Sequence, residues 1–131
     1  MSAMRLFFSA LLVTALLAGC ASTPQARSEF EDIPVPRGLE YVADRSTVIE
    51  SPSVKAAKVV YRGRLEPASL ATVMRTILES NGWRHVGTTT AGGSSAQIFD
   101  KGDSSVQVRI WEEWWYTYLE LTGGRALPIQ R

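Results

Sequence analysis

The chain has 131 residues, with 14 lysines and arginines against 13 acidic residues, one histidine and one cysteine. This length is enough for one domain with its own core. The near-zero net charge lacks the basic footprint of a nucleic-acid-binding protein, and one Cys with one His is too few for a zinc site. We therefore expect no nucleic-acid partner, no metal and no cofactor.

The first nineteen residues have the pattern of a secretory signal. Arg5 supplies a positive charge, an apolar run follows over residues 6–17, and Ala18 and Gly19 close it with small side chains. A helix that spans a bilayer needs about 20 apolar residues, so this run is too short. We predict that residues 1–19 are a signal peptide.

Residues 17–20, Leu-Ala-Gly-Cys, resemble the lipobox of bacterial lipoproteins. The resemblance implies that Cys20 carries a diacylglyceryl group, that the signal is cut before it and that its new amino group is acylated. Two or more acyl chains anchor a protein stably in a membrane. Because Ala21 rather than an aspartate follows, the resemblance implies the outer membrane, with the domain facing the periplasm, rather than the inner membrane. The alternative is an ordinary secretory signal with an incidental cysteine.

Residues 20–32 are predicted to form the lipidated cysteine and a flexible polar tether, which as a coil of about 11 residues reaches roughly 15–20 Å. Residues 33–38 follow, where Pro34 and Pro36 fix an extended backbone. We interpret this segment as a stiff strap that lies on its own domain. A ligand for a proline-binding partner is the alternative.

The pattern next predicts a short edge strand over residues 46–50, a valine-rich strand over 54–65 and one helix over 67–81. Pro67 suits the first helical position and Gly82 suits a left-handed helix end. The apolar residues at helical spacing are Leu70, Val73, Met74, Ile77 and Leu78. We expect Trp83 to fold back onto the last turn near Leu78.

Four strands are predicted after the helix, over residues 83–90, 95–100, 104–112 and 115–122. Gly123-Gly124 is expected to end the sheet, which gives one domain over 33–122 and a loose tail over 123–131. The predicted fold class is α+β, with one amphipathic helix packed on one face of an antiparallel sheet of about four to five strands. The side chains expected to face the helix are Val106, Val108, Ile110, Leu119 and Leu121.

Three motifs resemble a group of small proteobacterial lipoproteins of unassigned function. They are Ile-Pro-x-Pro-x-Gly at 33–38, Tyr-x-Gly at 61–63 and Asn-Gly-Trp at 81–83, the last closing a helix. The resemblance covers roughly residues 33–122 and implies a shared fold and a shared location. It carries over no catalytic residue.

A search for catalytic groups finds only weak candidates, so we predict that the protein is not an enzyme. His85 is the only histidine, and no Gly-x-Ser-x-Gly nucleophile motif accompanies it. One alternative is an envelope hydrolase that uses His85 with an acidic partner. Another is a carrier of a small hydrophobic ligand, with a cavity near Met74 and Ile110.

The strongest functional signal is aromatic. If the apolar positions of the last two strands face the helix, the opposite face carries Arg109, Trp111, Tyr116 and Tyr118, with Trp114 at the end of the hairpin. Trp, Tyr and Arg are enriched in binding hot spots. We therefore predict a non-enzymatic, membrane-tethered periplasmic module that binds another envelope component, a protein, through this face. The alternative is that the strap and residues 39–50 cover the face as a second small core.

Overall fold

The computed structural model describes Phe30 and residues 33–126, which form an antiparallel sheet and one helix. In chain order the elements are β1 (Leu39–Tyr41), a 3-10 turn (Ala43–Arg45), β2 (Thr47–Glu50), β3 (Val54–Gly63), α1 (Pro67–Ser80), β4 (Arg84–Ala91), β5 (Ser94–Lys101), β6 (Ser104–Glu113) and β7 (Tyr116–Ala126). The α+β class is thus confirmed. The expected strand count of four to five was wrong, because the described residues contain seven strands.

The sheet has the order β1-β3-β7-β6-β5-β4, and all its neighbours are antiparallel. β2 also pairs with β3, so β1 and β2 share one edge of that strand, with Tyr41 opposite Tyr61 and Thr47 opposite Lys58. α1 connects β3 to β4, which lies at the far edge of the sheet. The helix therefore crosses one face of the sheet.

The helix begins and ends as its sequence predicts. The carboxylate of Glu66 accepts hydrogen bonds from the N–H groups of Ala68 and Ser69, and Pro67 occupies the first turn. At the other end Gly82 has φ 85°, and the N–H of Trp83 bonds to the carbonyl of Leu78 at 3.0 Å. Trp83 is buried there, as expected.

The core lies between α1 and one face of the sheet. All five strand residues expected to face the helix are buried in one cluster with the helix. They are joined there by Leu70, Met74, Leu78, Val59 and Phe99. Val73, which belonged to the predicted apolar stripe, is instead 43% exposed. For the sheet, the alternation of apolar and polar residues in β6 and β7 thus predicted the inner face correctly.

The sheet continues past Gly123-Gly124, so the expected end of the domain at residue 122 was too early. β7 runs to Ala126, with Gly123 between Ala57 and Val106. These glycines serve close packing rather than a turn, because a Cβ on Gly123 would lie 2.6 Å from the backbone oxygen of Ser105. Residues 123–126 are thus strand rather than loose tail, and residues 127–131 lie outside the described part.

The proline strap packs on the helix side of the sheet. Ile33 and Phe30 are buried in the main core cluster, with Val35 packed against it. Phe30, which falls within the predicted tether, approaches Gly123 closely. Cys20, the predicted site of lipidation, and the predicted signal lie outside the described residues.

Candidate functional site

The sheet face opposite the helix carries two stacked aromatic rings with an arginine on each side. The rings of Trp111 and Tyr118 stack at 5.3 Å with 11° between their planes, across the β6–β7 pair. Arg109 lies 4.9 Å from the Trp111 ring centroid, and Arg45 lies 4.7 Å from that of Tyr118. We call these four residues the aromatic row. Such cation–π contacts stabilise both partners and hold the rings in place.

The segment between β1 and β2 covers the inner part of this face. Val42 is buried against Val60 and Tyr118. The Val42 N–H bonds to the Val60 carbonyl at 2.9 Å, and the Ser46 hydroxyl accepts the Val60 N–H at 3.0 Å. Tyr118 is therefore only 6% exposed. The alternative of a second small core holds for this segment, whereas the strap, which was also expected there, lies on the other face.

Tyr116 sits beside the row and is bracketed by two further arginines. Arg62 lies 5.0 Å and Arg64 5.7 Å from its ring centroid. Tyr118, opposite Arg62 in the sheet, and the nearby carboxylate of Glu40 raise the pKa of the Arg62 guanidinium. Arg64 and Arg109 form no ion pair with any residue that the structure describes. The uncovered part of the face thus consists of half-buried rings with two cations beside them.

The two aromatic residues that solvent reaches most freely lie in the turn between β6 and β7. Trp114 is 85% exposed and Trp115 is 75% exposed, and their rings stack at 5.9 Å with 21° between planes. We call this pair the Trp tip. Glu113 pairs with Tyr116, so the turn has two residues. Trp114 was expected at the hairpin end, and it does lie there, beside Trp115 rather than on the sheet face.

The backbone of Trp114 is unusual. Its φ is 59°, and it is the only non-glycine residue with a positive φ among those described. Two-residue hairpin turns often require positive φ at the first central position, where glycine is preferred. A bulky residue in this region is strained. Trp114 thus occupies a position that favours glycine.

On the β5 side, the tip extends past the last pair of strand residues. β5 pairs with β6 only as far as Ile110, and β3 pairs with β7 only from Thr117. The last three residues of β6 therefore continue about 10 Å past its last pair with β5, at 3.3 Å per residue. On the other side only Tyr116 extends past the last pair with β3, and the 3-10 turn bonds to Glu113, so the tip is free of neighbouring strands mainly on the β5 side.

An ion pair supports the base of the Trp tip. Arg45 donates to both carboxylate oxygens of Glu113, the residue just before the turn, at 3.0 and 3.1 Å. The hydrogen bond from Arg45, together with one from the indole N–H of Trp111, lowers the pKa of Glu113. Bidentate arginine–carboxylate pairs fix geometry as well as charge. The pair thus ties the hairpin end to the 3-10 turn.

His85 has structural partners on β4 and β5. Its ring meets Phe99 edge to face at 5.3 Å, and its Nε2 lies 2.8 Å from the Thr88 hydroxyl. A β-bulge follows between His85 and Gly87. Met74 and Ile110, where a ligand cavity was considered, are both buried in the core. Among residues 33–126, no three His, Cys, Asp or Glu side chains are grouped so that they could hold a metal ion.

The structure adds residues to the predicted site that the sequence pattern missed. Trp115 had been placed at the start of a strand, and Arg45 belonged to a segment with a weak pattern. Arg62 and Arg64 flank a strand end whose neighbour, β7, is more than fifty residues away in the chain. The one sequence signal for a two-residue turn near Trp115 was the alternation of apolar and polar residues in the strands on both sides of residues 113–116.

Comparison of the chain with protein-family models, with curated proteins and with solved structures finds no match. The resemblance to small lipoproteins therefore remains a prediction from motifs. In the part of the chain that the structure describes, no helix is both long enough and apolar enough to cross a membrane.

Proposed function

We propose that this protein is a non-enzymatic, membrane-tethered module of the periplasm that binds another component of the cell envelope through the end of the β6–β7 hairpin. The observation that carries the binding proposal is the Trp tip, with two stacked indoles 85% and 75% exposed. Tryptophan is among the residues that contribute most to binding energy when a partner covers it. The strained backbone of Trp114 also supports a binding role, because backbone strain is concentrated at functional sites.

The tethering part of the proposal rests on residues 17–20 and on the signal pattern before them. A lipid on Cys20 restricts the domain to a thin shell beside the outer membrane. This restriction raises the effective concentration of any partner in the shell, so weak contacts suffice. An exposed apolar tip suits such weak binding better than a deep pocket does.

The anchor is tested by mass spectrometry of the exported protein. We expect a mature chain that begins at Cys20 and carries three acyl chains, and we expect it in the outer-membrane fraction. An unmodified Cys20, or a protein recovered free in the soluble fraction, contradicts the tether. Cys20→Ser is the matched variant, and it should lose both the acyl mass and the membrane association.

Binding is tested by photo-crosslinking in living cells, with a photoreactive amino acid at position 115 and a control at position 49. Ile49 is also a large exposed apolar residue, at 63%, but it lies on β2 at the sheet edge. We expect one recurrent product, protein or lipid, from position 115 and none of the same kind from position 49. Identical products from both positions, or none from 115, would contradict the proposal.

A further inference from the structure

We infer that the component bound by the Trp tip is the lipid–water interface of the membrane to which the chain is tethered. This inference rests on the proposed function and specifies its partner. Trp114 and Trp115 enter the headgroup region, and the domain thereby has two attachments to one bilayer. The lipid on Cys20 is the first attachment, and the Trp tip is the second.

The chemistry of the tip matches this environment. An indole has a large apolar body and one N–H donor, and tryptophan is enriched where membranes meet water for this reason. Both rings stand at the end of the hairpin, past its last pair with β5, so they can enter the interface without burying the polar backbone of β5. A protein partner would need a cleft that fits the two indole rings, whereas the headgroup region of a bilayer accommodates them without one.

Two arginine side chains lie near the tip. Arg64 and Arg109 lie against the rings of Tyr116 and Trp111 and form no ion pair with a described residue. Their guanidinium groups suit lipid phosphates. Glu113 pairs with Arg45, Glu120 lies opposite Arg109 in the sheet register, and Glu112 is exposed nearby, so these carboxylates offset the arginines. The attraction to a bilayer therefore comes from the two exposed indoles and not from a net positive charge.

The position of Phe30, where the chain enters the fold, limits how far the hairpin end can lie from the lipid anchor. Phe30 packs near Gly123, seven residues along β7 from Tyr116, which corresponds to about 24 Å. Nine residues separate Cys20 from Phe30. A chain of this length reaches at most about 33 Å, at roughly 3.3 Å per residue. This reach exceeds the distance of about 24 Å from Phe30 to the hairpin end, so the lipid on Cys20 and the Trp tip can occupy one bilayer together.

The experiment uses the mature lipoprotein, reconstituted in vesicles of phosphatidylethanolamine and phosphatidylglycerol whose acyl chains are brominated. Bromine quenches tryptophan fluorescence only at short range. We expect the wild type to be strongly quenched relative to unbrominated vesicles, and we expect Trp114→Gly/Trp115→Ser to lose that quenching. The remaining Trp83 and Trp111 are buried and half-buried in the fold and report the background. Ile49→Ser should be quenched like the wild type.

Equal quenching of the wild type and the double tip variant, or no quenching of either, overturns the membrane inference. In that case a protein crosslinked specifically from position 115 in cells still supports the proposed function. Failure of both experiments removes the binding function as well. Circular dichroism of each variant shows whether it is folded, and a single Trp115→Ser variant, which leaves the Trp114 turn unchanged, gives the same test if the double variant is unstable.

Discussion

Arg45 and Glu113 are 68 residues apart in the chain and form a bidentate ion pair at 3.0 and 3.1 Å. This contact joins the 3-10 turn that covers Tyr118 to the last residue before the Trp tip. It therefore couples the cover of the aromatic row to the direction in which the hairpin end points. Because both side chains are partly exposed, the pair contributes more to geometry than to global stability.

The pair should be sensitive to acid. Hydrogen bonds from Arg45 and then Trp111 lower the pKa of Glu113, so the carboxylate stays ionised at pH values below the ordinary glutamate pKa of about 4.3. Its contribution is complete above that value and is lost as the pH falls through the lowered pKa of the folded state. We expect the indole N–H resonance of Trp111 to follow this titration in NMR spectra. In Glu113→Gln the titration should be absent, whereas Glu112→Gln should keep it.

Replacing Trp114 by glycine should leave stability nearly unchanged. Glycine adopts φ 59° without a Cβ clash, a relief of roughly 1 kcal/mol, but it adds conformational entropy to the unfolded state of similar size. We expect the free energy of unfolding in urea to stay within about 1 kcal/mol of the wild type. Trp83→Ala is the control, because Trp83 is buried and its loss should cost about 3–5 kcal/mol. A comparable loss in both variants would show that the tip is structural.

Gly123→Ala should destabilise the fold strongly. The new Cβ would lie 2.6 Å from the Ser105 backbone oxygen and 3.1 Å from the Phe30 ring, and neither can move without disturbing the sheet or the incoming chain. Overpacking of this kind costs about 1–3 kcal/mol or more. Gly87→Ala meets no atom within 4 Å and should change stability by less than about 0.5 kcal/mol. Similar melting temperatures for the two variants would disprove the close packing at Gly123.

Glu66→Ala should weaken the start of α1. The Ser69 hydroxyl and the backbone N–H groups of Ala68 and Ser69 lower the pKa of Glu66. The stabilisation is therefore present above about pH 4.3 and disappears as the pH falls through the lowered pKa. At neutral pH we expect the melting temperature to fall by on the order of a few degrees. Wild type and variant should converge in acid. Glu79→Ala, at the other end of the helix, removes an ion pair with Arg75 but no cap of backbone N–H groups, so it should lower the melting temperature less than Glu66→Ala does at neutral pH.

Some of this fold was readable from local pattern. Pro67, the apolar spacing of the helix and Gly82 predicted α1 to within one residue, since capping and periodicity act within a few residues of the chain. Alternation likewise assigned the inner and outer faces of β6 and β7. The predicted strands left residues 113–114 for the turn, whereas it lies at 114–115. Alternation could not decide between these positions, because moving the turn by one residue preserves which face is inside.

The sequence by itself determined which side chains of the last hairpin are buried under the helix and which lie on the opposite face. Only the tertiary structure decided that Val42 covers Tyr118 and that Trp114 and Trp115 share the turn. The tertiary structure alone also showed that β7 continues through its two glycines. These features depend on contacts between segments far apart in the chain, such as β3 with β7 and Arg45 with Glu113. Local propensity has no access to such contacts, since their free energy arises only when the whole sheet has formed.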